Sequence, residues 1–156
     1  MTSTEETFIY STHQGMVDDL SIAGRKLSEV TKEIQSLYLS DQRPWIIGFS
    51  GGKDSTTILS LIYNALLALP KNQLTKHIYV VSSDTLVETP VVVDMILSVL
   101  DRINKQAVTD HLPITAHPVR PKPDQTFWVN LLGRGYPAPT QTFRWCTERM
   151  KINPVS

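Results

Sequence analysis

The 156-residue chain carries 15 basic and 15 acidic side chains, and 41% of its residues are hydrophobic. This length and composition fit one domain with a buried core and exclude two domains of ordinary size. Because the formal net charge is zero, the chain does not belong to the proteins that hold nucleic acid through bulk charge alone.

Charge is unevenly distributed along the chain. From residue 118 to residue 156 there are six basic and two acidic side chains, whereas the preceding 117 residues have nine basic and 13 acidic ones. The C-terminal end therefore favours anionic ligands.

The cysteine content and the N-terminus indicate where the protein works. A single cysteine, Cys146, excludes an internal disulfide framework. Two glutamates stand near the N-terminus where a secretory signal would be basic, and no apolar stretch approaches the roughly 18 residues of a membrane span. We therefore expect a cytoplasmic protein that does not contact a membrane.

The first predicted elements are a flexible segment over 1–16 and then an amphipathic helix. The apolar residues of this helix recur at steps of three and four: Val17, Leu20, Ala23, Leu27, Val30, Ile34 and Leu37. All residues from 17 to 156 are assigned to one domain.

A strand and a helix follow. Residues 45–49 form an apolar run without alternation, which predicts a strand buried on both faces of a parallel sheet. The apolar residues of 55–69 predict a heavily buried helix that Pro70 stops.

A second strand with its helix follows, and then a third strand. A second strand is predicted over 77–82, and Thr89 with Pro90 predicts a helix start with a side-chain cap and a proline at the first helical position. A third strand, 112–119, is interrupted by Pro113 and is expected to be irregular or to lie near a sheet edge. Strands that alternate with helices at this spacing predict an α/β fold with a parallel, doubly wound sheet.

The amino-acid composition changes from the third strand onwards, where prolines become frequent. Seven of the ten prolines lie beyond residue 110. Residues 120–142 are therefore predicted to form a long loop, functional or acting as a lid.

The most informative segment is 50–56, Ser-Gly-Gly-Lys-Asp-Ser-Thr, between the first buried strand and its helix. In an open α/β sheet, ligands bind at this strand end. Two glycines allow a turn whose backbone N–H groups face one concavity, and the helix N-terminus adds positive charge. The residues expected to hold a phosphate are Ser50, Gly51, Gly52, Asp54, Ser55 and Thr56. A plain glycine turn with Asp54 or Ser55 as the helix cap stays open as the alternative.

The segment is not a Walker A loop, which would need glycine in place of Ile47 and Ser or Thr in place of Asp54. It matches the pattern Ser-Gly-Gly-x-Asp-Ser and resembles the pyrophosphate-binding loop of the ATP pyrophosphatase (PP-loop) superfamily. The resemblance implies an adenine nucleotide alpha hydrolase-like fold and cleavage of ATP between its α and β phosphates. It also implies Mg²⁺ to offset the phosphate charge.

Two later segments indicate a branch of that superfamily. Residues 83–90 resemble the Asp-Thr segment of the phosphoadenylyl-sulfate reductase-like branch. Residues 144–147, with Lys151 and Pro154, resemble the Arg-x-Cys-Thr and lysine element of the same branch. Together they are most similar to the sulfurtransferase subunits of Dnd DNA phosphorothioation systems, over roughly 17–156.

The resemblance implies catalytic roles for Lys53, Asp54, Asp84 and Arg144. Simpler explanations stay open for two of them. Asp84 at a strand end could cap a turn, and Arg144 could be a solvated surface cation.

The resemblance implies that Cys146 is one ligand of a 4Fe-4S iron-sulfur cluster. One thiolate does not hold such a cluster, so the remaining ligands are expected beyond residue 156, and the chain is interpreted as the N-terminal part of a longer domain. The alternative is that Cys146 is a small buried hydrophobic side chain.

The implied function is that of an ATP-dependent sulfurtransferase in DNA phosphorothioate modification. ATP adenylylates a DNA backbone phosphate with release of pyrophosphate, and a sulfur nucleophile then displaces AMP. The implied partners are DNA, a cysteine desulfurase as sulfur donor and other Dnd-system subunits. Two alternatives stay open: a phosphoadenylyl-sulfate reductase or sulfate adenylyltransferase-like enzyme, and a nucleotide-binding scaffold without catalysis.

Overall fold

The computed structural model describes residues 21–22 and 24–155. The strands are β1 (Ser21–Ile22), β2 (Arg25–Lys26), β3 (Trp45–Gly48), β4 (Ile78–Ser83) and β5 (Ile114–Val119). The α-helices are α1 (Leu27–Leu39), α2 (Lys53–Leu67), α3 (Pro90–Thr109) and the single turn α4 (Trp145–Thr147). The shorter helical turns are the 3-10 turns Lys71–Gln73 and Pro123–Gln125 and the π-helical turns Val129–Gly133 and Glu148–Ile152.

The three long strands form one parallel sheet in the order β3, β4, β5. Val80 in the central strand is paired with Ile47 on one side and with Ala116 on the other. Helices α2 and α3 make the two crossover connections that parallel neighbours require. The predicted parallel α/β architecture is confirmed. Among the described strands β5 pairs with β4 alone, and it begins at Ile114, directly after Pro113.

The hydrophobic core lies against one face of the sheet. Its strand residues share one side of the pleat: Ile47, Phe49, Ile78, Val80, Ile114 and Ala116. The helices cover this side with Tyr38 from α1, Leu59, Tyr63 and Leu66 from α2, and Leu100, Ile103 and Ala107 from α3. Successive strand side chains alternate between faces, so this set accounts for only half of the apolar strand residues.

The opposite face of the sheet is open at Ile46, Gly48 and Tyr79. The side chain of Ile46 is 57% exposed, Tyr79 is also exposed, and a Cβ built on Gly48 would meet no atom within 4 Å. The prediction that the strand over 45–49 is buried on both faces is therefore wrong for this face. Within residues 24–155 no helix covers Ile46 and Tyr79, because all three long helices contribute to the core on the other side.

The first helix begins later than its apolar spacing predicted. Residues 21–22 and 25–26 form the two-residue strands β1 and β2, which pair antiparallel. Gly24 has φ of +77°, a left-handed conformation that glycine adopts without steric cost. This turn interrupts the predicted helix, which starts at Leu27; the flexible segment 1–16 and the helix residues Val17, Leu20 and Ala23 lie outside the described residues.

Helix α3 begins as predicted at Pro90, the first helical residue, with Thr89 at the N-cap position. The expected side-chain cap is not formed, because the Thr89 hydroxyl makes no capping hydrogen bond. Neither this helix of 20 residues nor any other helix that the structure describes is long and apolar enough to cross a membrane.

Residues 120–142 are more regular than a loop. They contain the 3-10 turn Pro123–Gln125 and a helical stretch that runs into Val129–Gly133. The Asn130 side chain is fully buried and donates to the Thr126 carbonyl, while Asn130 O accepts from Tyr136 N. These hydrogen bonds satisfy buried polar groups and order the segment, although its prolines and glycines predicted a loop.

Candidate functional site

The loop 50–56 lies at the carboxyl end of β3, beside the end of β4. The backbone N–H of Phe49 donates to the Val81 carbonyl at 2.8 Å, which extends the pairing of the two strands to the start of the loop. Gly51 then takes φ of +73°, so the chain reverses there in a conformation that a residue with a Cβ adopts only with strain. This is the strand-to-helix position at which open α/β sheets bind ligands.

Two serine hydroxyls hold the loop closed. Ser55 Oγ accepts from the Ser50 N–H at 3.3 Å and donates to the Gly52 carbonyl at 3.1 Å. The Ser50 and Ser55 hydroxyls are 3.1 Å apart. Because these bonds are made within the loop, its shape exists before any ligand binds.

Helix α2 begins without a side-chain cap. Its N-cap is Gly52, and no side-chain hydrogen bond caps the first turn. The alternative in which Asp54 or Ser55 is the helix cap is therefore wrong. The first N–H groups of α2 and the positive end of its dipole are left for an anion.

The remaining loop residues are placed differently from one another. Lys53 and Asp54 are exposed in the first turn of α2, where both are accessible to a ligand. The Thr56 N–H already donates to the Gly52 carbonyl at 3.0 Å, so of its two donors only the hydroxyl is left for a phosphate.

Helix α3 lies beside both the loop 50–56 and the end of β4. A Cβ built on Gly51 would lie 3.8 Å from both Ile96 and Met95. Ile96 also lines a small cavity with Asp84 and Glu88, whose volume of about 20 Å³ is roughly that of one water molecule. The structure thus places the loop 50–56 and the Asp84 segment against the same helix.

Asp84 is nearly buried and already has partners. Its Oδ2 accepts from Arg120 Nε at 2.8 Å, its Oδ1 accepts from the Leu86 N–H at 3.1 Å, and its side chain is 9% exposed. Asp84 therefore does cap a turn, as the simpler explanation expected, and it also forms an ion pair. Sequence analysis did not single out Arg120, although its place directly after β5 brings it beside the end of β4 in a parallel sheet.

The chain after Asp84 is ordered by Glu88. The Glu88 carboxylate accepts from the Thr85 hydroxyl at 2.6 Å and from the backbone N–H groups of Thr85 and Val87 at 3.2 and 3.4 Å. Leu86 has φ of +62° and its side chain is exposed. Glu88 thus has a structural role that holds a left-handed residue at the rim of the site.

Arg144 and Cys146 belong to a different part of the molecule. Arg144 is exposed and its Nε donates to the Gln141 carbonyl at 2.9 Å. Cys146 is half-buried in α4 with a free thiol. Within residues 24–155 no hydrogen bond or ion pair connects either residue to the loop 50–56.

The described residues differ in how well they fit the implied cofactors. Among residues 21–22 and 24–155, no group of three or more His, Cys, Asp or Glu side chains could hold a metal ion, so the further cluster ligands expected beside Cys146 are not among them. Asp54 fits Mg²⁺ better, because its exposed carboxylate stands beside the loop. Comparisons of the chain with family models, curated proteins and solved structures found no match.

Proposed function

We propose that the chain binds ATP with its pyrophosphate portion on residues 50–56. The observation that carries this proposal is the preformed turn at Gly51 joined to an uncapped α2 N-terminus at the carboxyl edge of a parallel sheet. Backbone N–H groups and a helix dipole favour phosphate in this geometry. The resemblance of residues 50–55 to the PP-loop pattern supports the same ligand and a doubly wound fold for the whole domain.

The proposed reaction is ATP-dependent sulfur transfer to a DNA phosphate. A non-bridging oxygen of that phosphate attacks the α phosphorus of ATP, and the bond to the pyrophosphate breaks. A cysteine desulfurase supplies sulfur as a persulfide, and a thiol reductant releases it as hydrosulfide with oxidation of two thiols to a disulfide. The hydrosulfide sulfur then attacks the activated DNA phosphorus, and AMP leaves with the original oxygen. Other Dnd-system subunits would assemble this complex.

The loop residues have distinct proposed tasks in the first step. Lys53 and the N–H groups of the first turn of α2 neutralise charge that builds up on the departing pyrophosphate. Asp54 would hold Mg²⁺, which offsets phosphate charge when it is bound. Arg144 is proposed as a further phosphate contact. Cys146 is proposed as one ligand of an iron-sulfur cluster whose other ligands come from outside the described residues.

One observation favours a second candidate function. Asp84 is paired with Arg120 and hydrogen-bonded to Leu86, which leaves its carboxylate little capacity for catalysis. A nucleotide-binding scaffold would need the loop and not a free Asp84. Release of pyrophosphate by the protein with Mg²⁺, DNA, desulfurase and Dnd partners supports the enzyme, whereas ATP binding without release supports the scaffold. Sulfite or adenylyl sulfate formation without DNA would instead support a phosphoadenylyl-sulfate reductase or adenylyltransferase.

The loop assignment is tested by calorimetric titration with ATP and Mg²⁺. We expect Gly51→Ala and Asp54→Ala to abolish measurable ATP binding, the first because of its φ of +73° and the second because a carboxylate at the cradle is lost. Gly48→Ala is the matched control, since a Cβ there meets no atom within 4 Å. Far-UV circular dichroism checks that each variant is folded. Unchanged ATP affinity in folded Gly51→Ala protein would reject the assignment.

A further inference from the structure

The C-terminal surface, residues 120–155, has a small aromatic core of its own. The rings of Phe127 and Trp145 are stacked with centroids 5.4 Å apart, and Tyr136 meets Trp145 edge to face at 5.6 Å. The indole N–H of Trp145 donates to the Pro137 carbonyl at 3.0 Å. These contacts fix the geometry of the residues that neighbour the stacked rings in the chain.

Large apolar side chains remain exposed around this core. Trp128 is 55% exposed although its ring meets Phe127 edge to face at 5.2 Å. Phe143 is 45% exposed and stands two residues before Trp145. Phe127 and Trp145 stack, and Trp128 and Phe143 lie one and two residues away from these two rings in the chain. Exposed aromatic rings held by a rigid core are a feature of binding sites.

The cations of the C-terminal surface outnumber its anions. Two of the arginines are paired, Arg120 with Asp84 and Arg134 with Asp124. Lys122, Arg144 and Lys151 are exposed, and none of the ion pairs between described residues includes them. The acidic residues of 120–155 are Asp124 and Glu148. Residues 120–155 therefore carry exposed cations outside any ion pair between described residues as well as exposed aromatic rings.

We propose that the C-terminal surface binds an unpaired nucleic-acid strand. Trp128 and Phe143 stack on bases, while Lys122 and Lys151 contact the phosphates. Stacking of this kind needs bases that are not already stacked inside a duplex, and it tolerates any base sequence. An anionic membrane or an acidic peptide would match the charge but offers no planar face to the rings. The proposal does not depend on ATP binding at residues 50–56.

The test uses the full chain without nucleotide and fluorescein-labelled oligothymidylate or oligouridylate of about 12 nucleotides, a length within the range of single-strand sites. We expect fluorescence anisotropy to detect binding to both strands, and preference for one would tell DNA from RNA as the ligand. Trp128→Ala should weaken binding by at least about fivefold, and Trp128→Phe, which keeps a ring, should retain most of the affinity.

The salt dependence tests the phosphate contacts separately. Replacing both Lys122 and Lys151 by Ala should reduce the slope of log affinity against log salt by about 1.4, since each single-strand phosphate contact contributes about 0.7. Lys32→Ala is the matched control, because Lys32 is an exposed lysine on α1, outside the C-terminal surface. Its slope should equal that of the unmodified chain.

Several outcomes would overturn the proposal. These are no binding to either strand, equal binding of duplex and single strands with no effect of Trp128→Ala, or tighter binding to vesicles of phosphatidylserine and phosphatidylcholine. Circular dichroism shows whether the Trp128→Ala protein is folded, and ATP calorimetry shows whether its loop 50–56 still binds ATP. Retained ATP binding with lost strand binding supports the C-terminal surface whether or not sulfur transfer is the reaction.

Discussion

The side chain of Lys76 is 1% exposed, which is unusual for a lysine. Its ammonium lies 2.8 Å from Asp41 Oδ1 and sits over the rings of Trp45 and Tyr38 at 4.8 and 5.1 Å. The Tyr38 hydroxyl donates to the Lys76 carbonyl at 2.6 Å, and burial raises the pKa of Tyr38. This cluster connects α1 to the start of β3 and to the segment before β4. It therefore lies at the amino ends of these strands, whereas the loop 50–56 lies at their carboxyl ends.

The ion pair between Lys76 and Asp41 makes the free energy of unfolding depend on pH in the acidic range. Hydrogen bonds from Lys76 and then from Arg43 lower the pKa of Asp41 to about 2. A carboxyl group whose pKa is depressed by folding stabilises the native state above its unfolded pKa of about 3.9. That contribution is lost as the pH falls from about 4 towards 2.

We expect Asp41→Asn to lower the urea midpoint at pH 7, because it leaves a buried ammonium without its carboxylate. Lys76→Met removes the charge and keeps an apolar stem, so it should cost less than Asp41→Asn. Urea unfolding curves at pH 7, 4 and 2.5 measure both effects. An Asp41→Asn protein that loses as much stability below pH 4 as the unmodified chain would contradict the assignment to Asp41.

Helices α2 and α3 are joined at their far ends by Asp110, the C-cap residue of α3. Asp110 Oδ2 accepts from the Tyr63 hydroxyl at 2.5 Å and from Gln106 Nε2 at 3.0 Å, and its carbonyl accepts from Lys71 Nζ. Tyr63 is buried in the core, and its burial together with the Asp110 hydrogen bond raises its pKa. The two crossover helices are therefore held by a polar contact as well as by apolar packing.

A double-mutant cycle measures this link between the helices. We expect Tyr63→Phe to destabilise the protein by about 1 kcal/mol, a usual net value for one hydrogen bond. Asp110→Ala should cost more because it removes two side-chain hydrogen bonds, those from Tyr63 and Gln106. The combined variant should cost less than both single changes together, by about 1 kcal/mol. Strictly additive free energies of unfolding from urea titration would show that the contact does not couple α2 to α3.

The sheet is unevenly covered within the described residues, because on the face opposite the core Val81 is buried while Ile46 and Tyr79 are exposed. Ile78 and Ile46 stand on adjacent paired strands but on opposite faces, the first fully buried and the second exposed. Ile78→Val should destabilise the protein by about 1 kcal/mol, as core methyl deletions do. Ile46→Val should change the free energy of unfolding by less than about 0.5 kcal/mol. Equal losses in thermal and urea unfolding would mean that the open face is buried in solution.

The one-sided core explains where sequence reasoning succeeded and where it did not. The strands were recognisable because residues such as Val80 and Val81 are β-branched and apolar, which strands favour on either face. The same feature made Ile46 indistinguishable from Ile47, although one is exposed and the other buried. Which face a helix layer covers depends on the crossovers and not on the residues of one strand.

The amino-acid sequence by itself determined the order of strands and helices and the loop at residues 50–56, because periodicity, glycine pairs and prolines act over a few neighbouring residues. Tertiary structure alone decided the pairing of Asp84 with Arg120 and the burial of Lys76. It also decided the one-sided core and the aromatic core under Trp128. The partners in these contacts are distant in the chain, and their burial and charge depend on distances that only the folded backbone sets.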